Sequence, residues 1–166
     1  LRLAHPDDAE DMASLRAAVA GEGRFFAGVT GDRAALTARI RAAIPPAEST
    51  DAIELLAFHD DVLVGDLWLG RREDALASHC AEVHLALAVT ARGVGLGSAM
   101  MRTALRWARI HHIEKIEGAI RAGNEAVQAL LRKFGFREGG RLHDHYKTLG
   151  AQYEDEIWYE LWLLHH

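Results

Sequence analysis

The sequence predicts a mixed α/β domain, a central and mostly antiparallel sheet of seven strands flanked by about four helices. Three observations predict it. Hairpin signals stand at both ends of the chain, and segments with helix periodicity flank a strand at 115–120. No linker or repeat divides the 166 residues, so 1–166 reads as one domain.

The elements follow in order. "LRLAH" alternates as a short strand, and Pro6 with two aspartates behind it opens a helix through about Ala20. "GEGRFFAGV" reads as a loop. "DRAALTARIRAAI" is an amphipathic helix stopped by Pro45 and Pro46. "AIELLAF" and "VLVGDLWLG" form a hairpin around "HDD", and "AEVHLALAV" is a third strand, apolar enough to be central. Met100, Met101, Ala104, Leu105 and Ala108 share one face of a helix from Leu96 to about His111. "KIEGAI" is a strand. "NEAVQALLRKFG" is a helix that Asn124 caps and Gly135 ends. "FREGGRLHDHYK" and "YEDEIWYELWL" close the chain as a hairpin around "TLGAQ".

Composition narrows the function. A formal charge of −5 argues against a nucleic-acid backbone as partner and is compatible with a cationic small substrate. The single cysteine, Cys80, rules out an intrachain disulfide framework. No apolar run approaches the roughly 18 residues that cross a bilayer, and "LRLAHPDDAEDM" lacks the pattern of a signal peptide. A cytoplasmic protein without membrane or nucleic-acid partners is the expectation. Ten histidines include "HDH" at 143–145 and His111-His112, but neither has zinc-site spacing, so no metal is expected. Trp68, Trp107, Trp158 and Trp162 lie on separate elements, as core or interface residues do. "IWYELWLL" is apolar enough to pair with a second copy as an exposed strand, which would give a homodimer.

The most informative stretch is "VTARGVGLGSAM". Gly93, Gly95 and Gly97 alternate between a buried strand and a helix start, with Arg92 just before them. The first amides of a helix lack partners within it, and the dipole places partial positive charge there. Bare backbone lets a bulky oxyanion approach, and each amide bond to a charged group contributes roughly 1.5–3 kcal/mol. Arg92, Gly93, Val94, Gly95, Leu96, Gly97 and Ser98 are therefore the candidate pyrophosphate cradle. A Walker loop would need Gly-Lys-Ser/Thr where Leu96-Gly97-Ser98 stands. A nicotinamide-dinucleotide turn would want glycine or alanine at Ser98 and a parallel βαβ unit, which the preceding hairpins fit poorly. A tight turn without a ligand is the remaining reading.

"EVHLALAVTARGVGLGSAMM", "RAGNEAVQALLRKFGF" and "HYKTLGAQYEDEIWYEL" together resemble the GCN5-related N-acetyltransferase (GNAT) family, in motifs, their separation and element order. The resemblance implies the acyl-CoA N-acyltransferase fold and acetyl-CoA as donor, with a primary amine of a small molecule or peptide as direct acceptor. It implies that the strand before the glycines splays from its neighbour. Backbone groups of Leu85, Ala86 and Leu87 would then hold the pantetheine, with Asn124 at its thiol end. Val89 stands where many relatives have proline.

Acyl transfer to an amine needs a base, a polarised carbonyl and a proton for the departing thiolate. Glu82, acting through water, is the candidate base, and it otherwise reads as an exposed strand carboxylate. His84 shares its strand face. Leu131 occupies the place of the proton-donating tyrosine of many relatives, and Ala119 that of the glutamate of one branch. Tyr146 is the candidate substitute acid, though it reads equally as an aromatic on the closing hairpin. Residues 21–31, 70–79 and 141–153 would shape the acceptor pocket. Loss of turnover, leaving a non-catalytic acyl-CoA-binding module, is the rival that Leu131 keeps open.

Overall fold

The computed structural model describes residues 1–23, 32–148 and 150–163. Its seven strands are β1 (Arg2–Leu3), β2 (Ala52–His59), β3 (Val62–Arg71), β4 (Cys80–Leu87), β5 (Lys115–Arg121), β6 (Arg137–Lys147) and β7 (Tyr153–Trp162). They form one sheet in the order β1-β2-β3-β4-β5-β7-β6. Every pair is antiparallel except β4–β5. Four helices, α1 (Ala9–Gly21), α2 (Arg33–Ala43), α3 (Leu96–Ile110) and α4 (Glu125–Lys133), complete the described residues, beside short 3-10 turns.

The expected elements are present, with local adjustments. The first strand is only two residues long, because Asp8 accepts from the His5 amide at 2.7 Å and starts a turn. Asp60 and Asp61 both adopt positive φ, 47° and 61°, the backbone that a two-residue hairpin with right-handed strand twist demands. β4 stops at Leu87, since Val89–Ala91 coil into a 3-10 turn before the glycines. α4 ends as expected on Gly135 at φ +89°, with Phe136 N–H donating to Leu131 O and Gly135 N–H to Arg132 O.

The sheet alternation feeds two cores. Leu55, Leu67, Leu69, Val83 and Ile116 pack under α3 and α4. Leu56, Leu63 and Ala86 pack under Met12, Leu15 and Val19 of α1 and Leu36 and Ile40 of α2. Because successive residues of a strand face opposite ways, β4 presents Val83, Leu85 and Leu87 to α3/α4 and Glu82, His84 and Ala86 to the opposite face.

β7 does not offer a free edge. It is paired to β5 and β6 on its two sides, with Ile157 and Tyr159 buried, so the outer strand here is β6. β6 carries charged residues, glycines and register irregularities, features that discourage edge-to-edge pairing.

Candidate active site

β4 and β5 pair over only three residues, Cys80–Glu82 against Lys115–Glu117. Beyond that point β4 stays with β3 as far as Leu87, and β5 stays with β7 as far as Arg121. The two halves of the sheet thus part, and among the described residues the β5-facing edge of β4 has no strand partner from Val83 onward. A cavity of about 440 Å³ adjoins this gap. It is walled by Leu85 and Leu87 of β4, the turn at Arg92–Ser98, and Asn124, Val127, Leu130 and Lys133 on or before α4.

The glycine turn closes one end. Among the described residues the first amide of this region to find a backbone carbonyl after Arg92 is that of Ala99, which donates to Gly95 O. Among the described residues the amides of Gly93 to Ser98 find no backbone carbonyl. Gly93 and Gly95 have φ of +76° and +88°, which side chains rarely adopt, and a Cβ at either would meet nothing within 4 Å. Open space over left-handed backbone is what a bulky anion requires. Gly97 differs: its Cβ would press on Leu130 and Leu87, each at 3.3 Å, so it keeps α3, α4 and β4 close.

Two side chains complete the turn. The Lys133 ammonium donates to Ser98 Oγ at 3.1 Å, placing a positive charge on the cavity wall. Sequence reasoning missed it, since it lies 35 residues from Ser98 and only α4 packing brings them together. Arg92 is expected to present a full positive charge to a phosphate. Its guanidinium instead grips Glu22 in a bidentate pair, 2.7 Å on each side, and donates to Leu87 O at 2.8 and 3.1 Å. It ties the end of α1 to the turn, and Glu22 raises its pKa by hydrogen bonding. Across the gap, Arg121 of β5 donates to Gly23 O, so the end of α1 bridges both parted strands.

Asn124 caps α4 as expected, its Oδ1 accepting from the Val127 amide at 3.3 Å, and it lines the cavity. Leu131 is 1% exposed within the main core, whereas Val127 and Leu130 face the cavity. The expected tyrosine place therefore points away from the cleft.

The opposite face of β4 is charged. Glu82 stands in the last pair before the strands part, opposite Glu117. Its carboxylate lies 2.8 Å from Arg72, which also holds Glu117 at 2.7 Å. His84 is 3.8 Å from Glu82 and rests against Trp68, ring centroids 5.4 Å apart. Desolvation lowers the His84 pKa, Glu82 opposing and Arg16 assisting. Tyr146 lies further along this face, paired in register with Glu154, its hydroxyl donating to Glu156 and its ring 5.3 Å from the Arg121 guanidinium. Burial and the Glu156 bond push its pKa up to about 12. It does not line the 440 Å³ cavity. Trp158 donates to the same Glu156, at 2.9 Å.

A second cavity of about 520 Å³ opens on this face, lined by Arg16, Glu54, Asp66, Trp68, Glu73, His84, Leu85 and Ala86. Leu85 lines both cavities, so they adjoin across β4. Glu54 and Asp66, missed by sequence reasoning, are its buried floor, both reached by Arg16. The segments expected to shape this side are only partly visible: residues 24–31 and 149 lie outside the described residues. Among the described residues no group of three His, Cys, Asp or Glu side chains could hold a metal ion, and no helix is long and apolar enough to cross a membrane.

The sequence profile of the acetyltransferase (GNAT) family matches residues 26–136, two thirds of the chain and both glycine-turn and α4 motifs. The chain belongs to that family. Solved structures agree in fold. An acetyltransferase of the GNAT family from Streptococcus pneumoniae is 20% identical, with a TM-score of 0.84 and 98% of each chain covered. A GCN5-related N-acetyltransferase from Kribbella flavida is 18% identical, with a TM-score of 0.85 over 98% of this chain and 96% of that one. The yncA protein of Salmonella typhimurium, solved with its cofactor acetyl-CoA, is 18% identical, with a TM-score of 0.83 over 99% of this chain and 94% of that one. No curated protein matches the sequence. GNAT membership supports acyl transfer, rather than nicotinamide redox chemistry, as the reaction class of this chain.

Proposed function

We propose that this GNAT protein transfers an acetyl group from acetyl-CoA directly to a primary amine of a small molecule or peptide. One observation carries the reading: the unpaired edge of β4 leads straight into the unpartnered amides of Gly93–Ser98. An edge of that kind accepts an extended amide-bearing chain as a strand, and a helix start accepts phosphate. The residues fit the cofactor, since positive-φ glycines with open space above them leave room where a pyrophosphate needs it.

Bound acetyl-CoA supplies an activated acyl thioester. The amides of Gly93–Ser98, with Lys133 beside them, would hold its phosphates. Leu85 would align the pantetheine by backbone bonds; Ala86, expected to share that task, turns its backbone to Asp66 of β3 because successive residues of a strand bond to opposite sides, and Leu87 has its carbonyl already engaged by Arg92. Asn124, fixed by its capping bond, would stand near the thiol end. Glu82 lies where the sheet parts and would take a proton from the acceptor ammonium through a water, with Arg72 fixing its orientation. Tyr146 retains its proton at neutral pH and is the candidate donor to the departing thiolate, held in place by Glu156. With Leu131 in the core, the alternative source of that proton is solvent.

The test is direct. Coenzyme A titrated into labelled protein should shift the amide resonances of residues 93–98, and acetyl-CoA with a panel of primary amines should release thiol. Unmoved resonances at saturating coenzyme A would overturn the reading. Shifted resonances without turnover on any amine would leave a non-catalytic acyl-CoA-binding module.

A further inference from the structure

The second cavity holds an imbalance. Glu54 on β2 and Asp66 on β3 are 4% and 3% exposed, yet share one cation. Arg16 donates from Nε to Asp66 Oδ2 at 2.6 Å and from Nη2 to Glu54 Oε1 at 3.0 Å. With both carboxylates ionised, Asp66 Oδ1 is a buried side-chain oxygen with no hydrogen-bond partner among the described residues. In that state two buried carboxylates against one guanidinium would leave one negative charge uncompensated, at a cost of several kcal/mol. Among the described residues the remaining walls add no second cation: Glu73 comes from the β3–β4 connection, His84 and Trp68 from β4 and β3, and Ala43 from α2. Glu82, beside His84, is already matched by Arg72.

We propose that Asp66 and Glu54, on their shared Arg16, form the recognition site for a compact organic cation bearing N–H donors, the ammonium or guanidinium head of the acceptor. The inference rests on the acetyltransferase reading for what enters the neighbouring cleft, and it names the class of substrate. An N–H of the cation satisfies Asp66 Oδ1, and its charge balances the second carboxylate. When the cavity is empty, Glu54 balances the cluster by holding a proton; burial and Asp66 raise its pKa well above the usual carboxylate range, against the pull of Arg16. Entry of a cation therefore ionises Glu54 and sends its proton to solvent. The cluster stays neutral in both states: Arg16 and Asp66 cancel before binding, and the cation and Glu54 cancel after it. His84, whose pKa is lowered, is uncharged at pH 8 and contributes no proton there.

Methylguanidinium, which stays charged over the range used, and its uncharged analogue methylurea are the probes, titrated calorimetrically into the full chain. Methylguanidinium should bind at least about tenfold more tightly than methylurea. Its affinity should rise as pH is raised from 7 to 8, and binding should release protons, read from the dependence of heat on buffer. Glu54→Gln, which keeps a donor for Asp66, should abolish the proton release and flatten the pH dependence. Asp66→Asn should weaken methylguanidinium by about tenfold or more. Equal binding of the two probes, absence of methylguanidinium binding, or a pH-flat affinity in the parent would each overturn the assignment. Coenzyme A titrated into the same sample separates the two readings. If it binds while the cation arm fails, only the acidic site falls; if it fails while the cation binds with proton release, only the acyl-CoA reading falls.

Discussion

The two cavities meet at Leu85 and are built by opposite means. The one beside α3 offers backbone: a strand edge, six amides and positive-φ glycines, with Lys133 as an added charge. The one beside α1 works through side chains drawn from positions 16, 54, 66, 73 and 84 of the chain. Backbone recognition suits a ligand of fixed chemistry, because amides present the same donor whatever the residue. Side-chain recognition suits a substrate that must be chosen by charge and size. β4 serves both: its alternation turns Leu85 and Leu87 to the first cavity and His84 and Ala86 to the second, with Leu85 at the seam between them.

Three substitutions would break or sharpen that contrast. The largest effect belongs to Gly95→Val. A β-branched residue at φ +88° is strained by about 1–2 kcal/mol and fills the space above the turn. Coenzyme A affinity should fall by about a hundredfold by calorimetry, while the circular dichroism spectrum is kept and methylguanidinium binding is unchanged. Retained coenzyme A affinity would mean that the backbone cavity is not the phosphate site.

Glu82→Gln should come next. Turnover should drop about tenfold at pH 6.5 and less at pH 9, where more of the amine is already neutral. The comparison is a kcat/KM profile against pH, and parallel profiles would remove Glu82 from the proton transfer.

The most diagnostic effect is on stability. Burial and Asp66 hold the folded-state pKa of Glu54 above its ordinary value of 4.5. Folding therefore retains a proton that the unfolded chain releases, and stability falls as pH rises above about 4.5. Glu54→Gln lacks that ionisation. Its chemical-denaturation midpoint should gain on the parent steadily between pH 5 and 9, and a constant gap would mean that Glu54 is ionised in the fold.

The two regions also differ in what could be read from residue order. The glycine turn was legible because every group it uses is local: strand, loop and helix start lie within Val83–Ser98, and the chemistry is that of the backbone itself. The caps of α4 were legible for the same reason, Asn124 at one end and Gly135 at the other. Glu82 and His84 were expected on one face from alternation alone, and they share it. The Arg92–Glu22 clamp spans 70 residues, and no local signal turns a guanidinium from phosphate toward α1. Lys133 at the turn, and Leu131 in the core instead of the cleft, depend on how α4 is rotated on the sheet. The apolar "IWYELWLL" reads as a pairing edge, but β6 covers it, because the closing hairpin places its second strand inside and its first outside.

Residue order by itself determined the α/β class, the seven strands, the position of the glycine turn and hence the family. These follow from periodicity and backbone conformation, which act over a few residues. Only the tertiary structure decided where β4 and β5 part, which charges Arg92 and Arg72 answer to, and that Glu54 and Asp66 share a single arginine. Those depend on strand register and helix packing between distant segments, where burial makes each unmatched charge costly and so fixes which partners must meet.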